Sequence, residues 1–183
     1  IVYSQQTSPH VYSTMETDVT EVVNARENNK QSFNDKYGVK LTYTPIILDA
    51  CIKAIKDFPL INTSIQNDKI IHHENINLGV AVALPDNNLI VPVIKCSEEK
   101  NIIGLARSSS DLASRSRDNN LEADEIFGST FTVTNPGVFG SLFGMAIINQ
   151  PNVAILSVGV IKKKPAVKET YYGDVIVVRS MMY

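Results

Sequence analysis

Gly128-Ser129-Thr130-Phe131-Thr132-Val133-Thr134-Asn135-Pro136-Gly137-Val138-Phe139-Gly140-Ser141 reads as a short strand running into a glycine-rich turn. Thr130, Thr132 and Thr134 alternate with Phe131 and Val133. At period two the three hydroxyls therefore share one face. Asn135-Pro136-Gly137 breaks the strand. A threonine at a strand end, beside a turn, is placed to offer its hydroxyl to a ligand. The same residues also suit an ordinary half-buried strand, and this stretch alone does not choose between the two.

Upstream, His10 to Asp18 alternates loosely and predicts a strand. Asp18-Val19-Thr20-Glu21 has the form of a capping box, with Glu three residues after a side-chain acceptor. A polar helix follows over about Thr20 to Lys36, with a thin apolar stripe of Val22, Val23 and Phe33, and Tyr37-Gly38 signals its end. Leu41 to Tyr43 predicts a short strand. Pro45 suits the first turn of a second helix, because its missing N–H would be unpaired there anyway. Ile47, Cys51, Ile55 and Phe58 make one apolar face, widened by Leu48 and Ile52, so this helix is largely buried and Cys51 is a core residue. Pro59 is its stop.

Strands come next. Thr63 to Gln66 and Lys69 to His72 flank Asn67-Asp68 as a hairpin. Ile76, Leu78, Val80, Val82 and Leu84 alternate, which marks a strand with one buried face. Asp86-Asn87-Asn88 is a turn, and Pro92 makes the apolar run Leu89 to Ile94 an edge strand or a bulge. Asn101 to Arg117 is a third helix. Beyond the opening stretch, Ala146 to Ile148 and Asn152 to Val160 predict strands, and Val153-Ala154-Ile155-Leu156 reads as a central one. Lys162-Lys163-Lys164 is a basic cluster after it, and Val175 to Tyr183 is the last strand. Runs of strands mixed with a few long helices predict a two-layer α/β or α+β sandwich, the expectation being an α/β two-layer sandwich with a mixed sheet.

The totals exclude several function classes. A chain of 183 residues holds one domain with a real core. A net charge of −2 argues against a nucleic-acid-binding domain. No apolar run approaches the ~20 residues of a membrane span. Two cysteines, Cys51 and Cys96, are too few for a disulfide framework, so a reducing, cytoplasmic compartment is expected. His10, His72 and His73 have no second ligand at metal-site spacing, so no metal is expected. No G-x-G-x-x-G, G-x-x-x-x-G-K-[ST] or G-x-S-x-G motif occurs.

Seven pieces then occur in one order: Ser8-Pro9-His10-Val11, Asp18-Val19-Thr20, Asn77-Leu78-Gly79-Val80-Ala81-Val82, Leu89-Ile90-Val91-Pro92-Val93-Ile94, Asp111-Leu112-Ala113, the run Gly128 to Gly137, and Ile147-Ile148-Asn149-Gln150-Pro151 with Ala154-Ile155-Leu156. Together they resemble the catalytic domain of the dihydrolipoyl acyltransferases of 2-oxo-acid dehydrogenase complexes. The resemblance implies a chloramphenicol-acetyltransferase-like, coenzyme A-dependent acyltransferase fold. It implies acyl transfer between a dihydrolipoyl-lysine, carried on a separate domain, and coenzyme A. It further implies a homotrimer building a cubic or icosahedral core, with 2-oxo-acid decarboxylase and dihydrolipoyl dehydrogenase components as partners.

Carried over residue by residue, the resemblance makes Thr134 the hydroxyl that donates to the tetrahedral oxyanion. It places Asn135 in the coenzyme A channel, Arg26 and Thr42 in contact with coenzyme A, and Gly159 and Ile161 beside it. Lys162 to Lys164 either meet its phosphates or form a solvated turn. The family's catalytic base is a histidine in an Asp-His-Arg-x-x-Asp-Gly signature, shortly after a strand resembling Val177 to Tyr183; that signature does not occur in these residues. The expectation is one catalytic domain over 1–183, incomplete at both ends, without lipoyl or peripheral-subunit-binding domains and inactive by itself. The run Asn135 to Leu142 looks more like the succinyl-transferring members than the acetyl ones, with branched-chain members as an alternative. Two rivals are a non-catalytic scaffold or binding module and a stand-alone antibiotic acetyltransferase of the same fold.

Overall fold

The computed structural model describes residues 2–86 and 88–183, so Asn87 of the expected Asp86-Asn87-Asn88 turn lies outside the described residues. In chain order the elements are α1 (Val2–Thr7), β1 (Thr17–Asp18), α2 (Thr20–Tyr37), α3 (Tyr43–Asp57), β2 (Thr63–Gln66), β3 (Lys69–His72), β4 (Leu78–Val80), β5 (Val82–Ala83), β6 (Leu89–Ile90), β7 (Val93–Ile94), α4 (Ile102–Arg117), β8 (Phe131–Thr134), β9 (Ile155–Ser157), β10 (Lys162–Thr170) and β11 (Gly173–Met182).

The centre is a mixed four-stranded sheet in the order β7-β4-β8-β9. β7 runs antiparallel to β4, whereas β4, β8 and β9 are mutually parallel. Period two gives the sheet two unlike faces. Leu78, Phe131 and Val133 turn to one face, where Leu48, Cys51, Ile52 and Ile55 of α3 and Leu105 and Leu112 of α4 close the core. Leu48, Leu78 and Leu105 are fully buried, and each contributes about 2 kcal/mol by the area it removes from water. Cys51 is a member of this core, and its burial pushes the thiol up to about 12. The opposite face carries Thr132, Thr134, Ile155 and Ser157, and the site lies there.

The local signals mostly act as expected. Gly38 ends α2 in the left-handed region, its N–H bonding Asn34 O at 2.8 Å. Asn101 caps α4 by accepting from Gly104 N at 3.0 Å. Asn67 and Asp68 both have positive φ, as the tight turn between β2 and β3 requires. Pro92 separates β6, which pairs with β5, from β7, the edge of the central sheet.

Several expectations are corrected. The strand from His10 shrinks to Thr17–Asp18, because His10 is drawn away: its Nε2 accepts from Ile148 N at 2.9 Å. Asp18 caps through Thr20, accepting from its N–H at 2.9 Å and its hydroxyl at 2.5 Å, and Val19 is the N-cap residue; Glu21 completes no capping box. Leu41 to Tyr43 is no strand, since Tyr43 already opens α3. Ala146 to Ile148 forms no strand either. The run from Asn152 keeps only Ile155–Ser157 as strand, and β9 is the edge of the central sheet with Leu156 38% exposed. Its continuation leaves that sheet: Lys162–Thr170 pairs antiparallel with β11, which also pairs with β1. Lys162, Lys163 and Lys164 are thus strand residues rather than a turn, and Lys164 Nζ bonds Glu16 at 3.0 Å and the Tyr183 hydroxyl.

After α4, Arg115 gathers two carboxylates, bonding Asp111 at 2.8 Å and Glu125 at 2.6 Å. The guanidinium, helped by the Glu122 N–H, holds the Glu125 carboxyl down at about 2. A depressed carboxylate stabilises the fold above its unfolded pKa and loses that contribution as pH falls through the folded value. Glu125→Gln is therefore expected to lower Tm at pH 7, with the deficit shrinking between about pH 4.5 and about pH 2. Melts across that window check it; a deficit independent of pH counts against the ion pair.

Candidate active site

Thr132 and Thr134 share a face of β8 and Thr130 just precedes it, and the three hydroxyls differ in commitment. Thr130 Oγ1 accepts from Asn77 N at 3.0 Å. Thr132, 1% exposed, donates to Asn152 Oδ1 at 2.7 Å, and Asn152 Nδ2 in turn donates to Ser129 O at 2.6 Å. Both hydroxyls satisfy buried polar groups. Thr134 is the last residue of β8; its carbonyl accepts from Val158 N at 2.9 Å, while its hydroxyl is uncommitted among the described residues. Asn135, Pro136–Phe139 as a 3-10 turn, and Gly140 with φ of 82° then carry the chain away.

Thr134 stands between two clefts. The larger, about 1140 Å³, runs from Thr42, Tyr43 and Lys40 past Ser109, Ser110 and Arg117 of α4 to Thr134 and Asn135. The smaller, about 540 Å³, lies under the chain from Gly144 to Gln150 and is lined by Leu89, Val91, Ile155, Ser157 and Thr134. Ala81, Leu89, Thr134 and Pro136 belong to both walls. The charges are uneven. The larger cleft has two cationic side chains among the described residues, Lys40 and Arg117, whereas no charged residue lines the smaller one.

Of the residues singled out from the sequence, Thr134, Asn135 and Thr42 come together in the larger cleft. Arg26 lies outside both walls. Its Nε donates to Leu41 O at 2.9 Å, its guanidinium carbon sits 4.7 Å from the centre of the Tyr43 ring, and Glu27 pairs with it. It braces the backbone that presents Thr42 and Tyr43. Gly159 is buried behind the turn after Thr134, its N–H donating to Tyr183 O at 2.7 Å. Neither Gly159 nor Ile161 lines a cleft, nor does any of Lys162 to Lys164.

His10 and His73 are bonded elsewhere. His10 Nε2 accepts from a backbone N–H, which puts the ring proton on Nδ1, and that nitrogen donates to Ser8 O at 2.6 Å. His73 Nε2 lies 3.1 Å from the Ser64 hydroxyl. Neither histidine lines a cleft, nor does His72. Sequence reasoning missed Tyr43, Ser109, Ser110, Arg117 and Ser157 as cleft residues. The polar serines on α4 beside small Ala106 and Ala113 were the available signal for that wall.

Comparison with known proteins follows the same geometry. Residues 1–183 match the model of the 2-oxoacid dehydrogenases acyltransferase (catalytic domain) family. The lipoamide acyltransferase component of the branched-chain alpha-keto acid dehydrogenase complex of Bacillus subtilis is 44% identical over 174 residues, covering 95% of this chain and 40% of that protein. The succinyltransferase component of the 2-oxoglutarate dehydrogenase complex of the same organism is 36% identical over 184 residues, covering 100% of this chain and 43% of that protein. This chain thus spans about two-fifths of the length of these relatives. A probable dihydrolipoamide acetyltransferase from Listeria monocytogenes superposes with a TM-score of 0.93 at 42% identity, over 99% of this chain and 75% of that one. The cubic core of a pyruvate dehydrogenase multienzyme complex superposes at 0.92 with 32% identity, over 99% and 73%. A chloramphenicol acetyltransferase, at 12% identity and a TM-score of 0.55, shares the fold alone. With the mixed sheet and the family model in agreement over the whole chain, this protein belongs to the 2-oxoacid dehydrogenase acyltransferase catalytic-domain family.

Proposed function

We propose that this chain provides the oxyanion-stabilising part of a site that moves an acyl group between dihydrolipoyl-lysine and coenzyme A, as the core component of a 2-oxo-acid dehydrogenase complex. The carrying observation is that the uncommitted hydroxyl of Thr134 stands at the wall shared by two clefts. A two-thiol transfer needs that arrangement, with one thiol approaching from each side of one carbonyl. Lys40 and Arg117 suit the larger cleft to the phosphates of coenzyme A, with Asn135 and Thr42 along it. Arg26 acts on that cleft through Leu41 and Tyr43. Gly159 packs behind the turn at Gly137 that follows Thr134, and Ile161 lines neither cleft.

The chemistry follows from that placement. A base takes the proton of the attacking thiol, whose unperturbed pKa of about 8.5 leaves little thiolate at neutral pH. The thiolate sulfur adds to the thioester carbonyl carbon, and the carbonyl electron pair moves onto oxygen. Thr134 donates its hydroxyl proton in a hydrogen bond to that oxyanion, an interaction stronger in the transition state than in the ground state. Collapse expels the other sulfur, which takes the proton back from the base. By the family resemblance the base is the histidine of an Asp-His-Arg-x-x-Asp-Gly signature, which does not occur in residues 1–183, and none of His10, His72 and His73 lines either cleft. Trimers building a cubic core, decarboxylase and dihydrolipoyl dehydrogenase partners, and a cytoplasmic location accompany the same reading. No helix among the described residues is long and apolar enough to cross a membrane.

The acyl group is part of the proposal. The relatives do not favour succinyl over branched-chain or acetyl. A succinyl carboxylate in the smaller cleft would meet no cation among the described residues, and an unpaired buried charge is costly. Val91, Ile147 and Ile155 there suit an uncharged aliphatic group. In a thioester-transfer assay on the full-length protein, kcat/KM for a branched or acetyl substrate is expected to exceed that for succinyl by at least about tenfold. A preference for succinyl overturns the acyl assignment. No transfer from any of the three overturns the functional reading.

A further inference from the structure

Ser157 Oγ is out of solvent's reach and has no hydrogen-bond partner among the described residues. Buried hydroxyls are rarely left so. The neighbouring hydroxyl on this face shows the ordinary case, since Thr132 is satisfied by Asn152 at 2.7 Å. Ser157 ends β9 and is the direct parallel partner of Thr134. Paired residues of parallel strands project from the same face, and the strands lie about 4.8 Å apart. Both side chains line the smaller cleft. The chain at Gly144 roofs the serine; a Cβ there would stand 3.2 Å from Ser157 Oγ. Ligand therefore reaches Thr134 more directly than it reaches Ser157.

We propose that Ser157 is a positioning residue for Thr134: its hydroxyl donates to Thr134 Oγ1 when the acyl thioester is bound. The proposal rests on the reading of Thr134 as the oxyanion donor. A threonine hydroxyl has one proton and two acceptor sites, and its rotor is otherwise free. Accepting from Ser157 fills one acceptor site and fixes where the single proton points, namely at the oxyanion. The chained bonds also polarise one another and strengthen the second donor. A serine hydroxyl is re-aimed by rotation about χ1 between staggered wells. The orphaned hydroxyl is thus kept by its effect on Thr134, not by a contribution to folding.

The test compares Ser157→Ala, Thr134→Ala and the double variant in the full-length protein. Acyl transfer between acyl-coenzyme A and dihydrolipoamide is followed alongside thermal melting. Ser157→Ala is expected to lower kcat about 3- to 10-fold, the scale of one neutral hydrogen bond, with KM for coenzyme A unchanged. Its Tm stays level or rises, because an unpartnered buried hydroxyl has been removed. Added to Thr134→Ala, it causes no further loss. A wild-type kcat for Ser157→Ala beside a crippled Thr134→Ala overturns this proposal alone. So does a full further loss in the double variant, which would assign Ser157 a direct contact with substrate, and so does a lowered Tm with unchanged kcat. Unchanged turnover in Thr134→Ala overturns the reading beneath it and the proposal together.

Discussion

Thr134→Ala is expected to lower turnover of the full-length protein about 10²–10³-fold, with KM for coenzyme A little changed. Thr134 is half-buried at the end of β8, and its hydroxyl holds no other group of the chain in place. Removing it leaves the Val158 N to Thr134 O bond and the parallel register with Ser157 intact. The fold therefore loses little, and Tm is expected to stay within a few degrees of wild type, about the effect of 1 kcal/mol in a domain of this size. The reaction loses the donor that meets the carbonyl oxygen only when it becomes an alkoxide. Such a donor acts on kcat rather than on substrate affinity. Thr134→Ser keeps the hydroxyl and should retain most of the turnover. Thr132→Ala is the informative contrast. It strips Asn152 Oδ1 of a 2.7 Å bond inside the sheet and should cost stability first. Steady-state kinetics with melting curves separates the two threonines. Unchanged turnover in Thr134→Ala would remove that residue from the mechanism.

That contrast also marks where sequence reading stops. Period two put Thr130, Thr132 and Thr134 on one face; Thr132 and Thr134 share it in β8, while Thr130 precedes the strand. Which hydroxyl is free depends on Asn77 and Asn152, 53 and 20 residues away along the chain, and no local pattern carries that information. Elements with local causes were legible: the turn at Asn67-Asp68, the stop at Gly38 and, except for Phe58, which lies past the helix end and is 65% exposed, the buried stripe of α3. β10 was not. Lys162, Lys163, Lys164 and Lys168 fill it with charge where a half-buried strand would alternate, and it exists because β11 pairs with it residue by residue. Ser157 was hidden for the opposite reason. It follows the apolar run Val153-Ala154-Ile155-Leu156, whose composition says core strand, and the cleft becomes visible only once β9 lies beside β8. Arg26 was legible as a charge but not as a neighbour, because its stacking on Tyr43 joins two helices. Thr134 and Asn135 were legible as residues of one cleft wall because their motif and their place at a strand end coincide.

Gly159→Ala is expected to be the most destabilising single-methyl substitution near the site. The resemblance put Gly159 where a strand end approaches a ligand closely. What approaches it in the structure is the chain itself. A Cβ at 159 would stand 1.8 Å from Leu142 O and 2.8 Å from Leu142 C, with Tyr183 O at 3.2 Å. None of these is a side-chain tip that can swing aside. The next layer is as tight, because a Cβ on Gly137 would meet Gly159 C at 2.4 Å. Three backbone segments are stacked here without side chains between them. They are joined by Gly137 N to Val158 O at 3.1 Å, Gly159 N to Tyr183 O at 2.7 Å and Val160 N to Ser141 O at 2.9 Å. Alanine must push at least one segment away and break one or more of these bonds. Overpacking costs about 1–3 kcal/mol, and each backbone bond left unmade in a buried place adds about 1–3 kcal/mol. A fall in Tm of roughly 6–12 °C follows for about 3 kcal/mol in a domain of this size. The displaced segment at Leu142 leads into Gly144 and Met145, which wall the smaller cleft beside Thr134. Turnover measured below the new Tm should therefore fall too, with the smaller cleft's substrate bound more weakly than coenzyme A. A melting curve superimposable on wild type would show that the three segments are not packed as described.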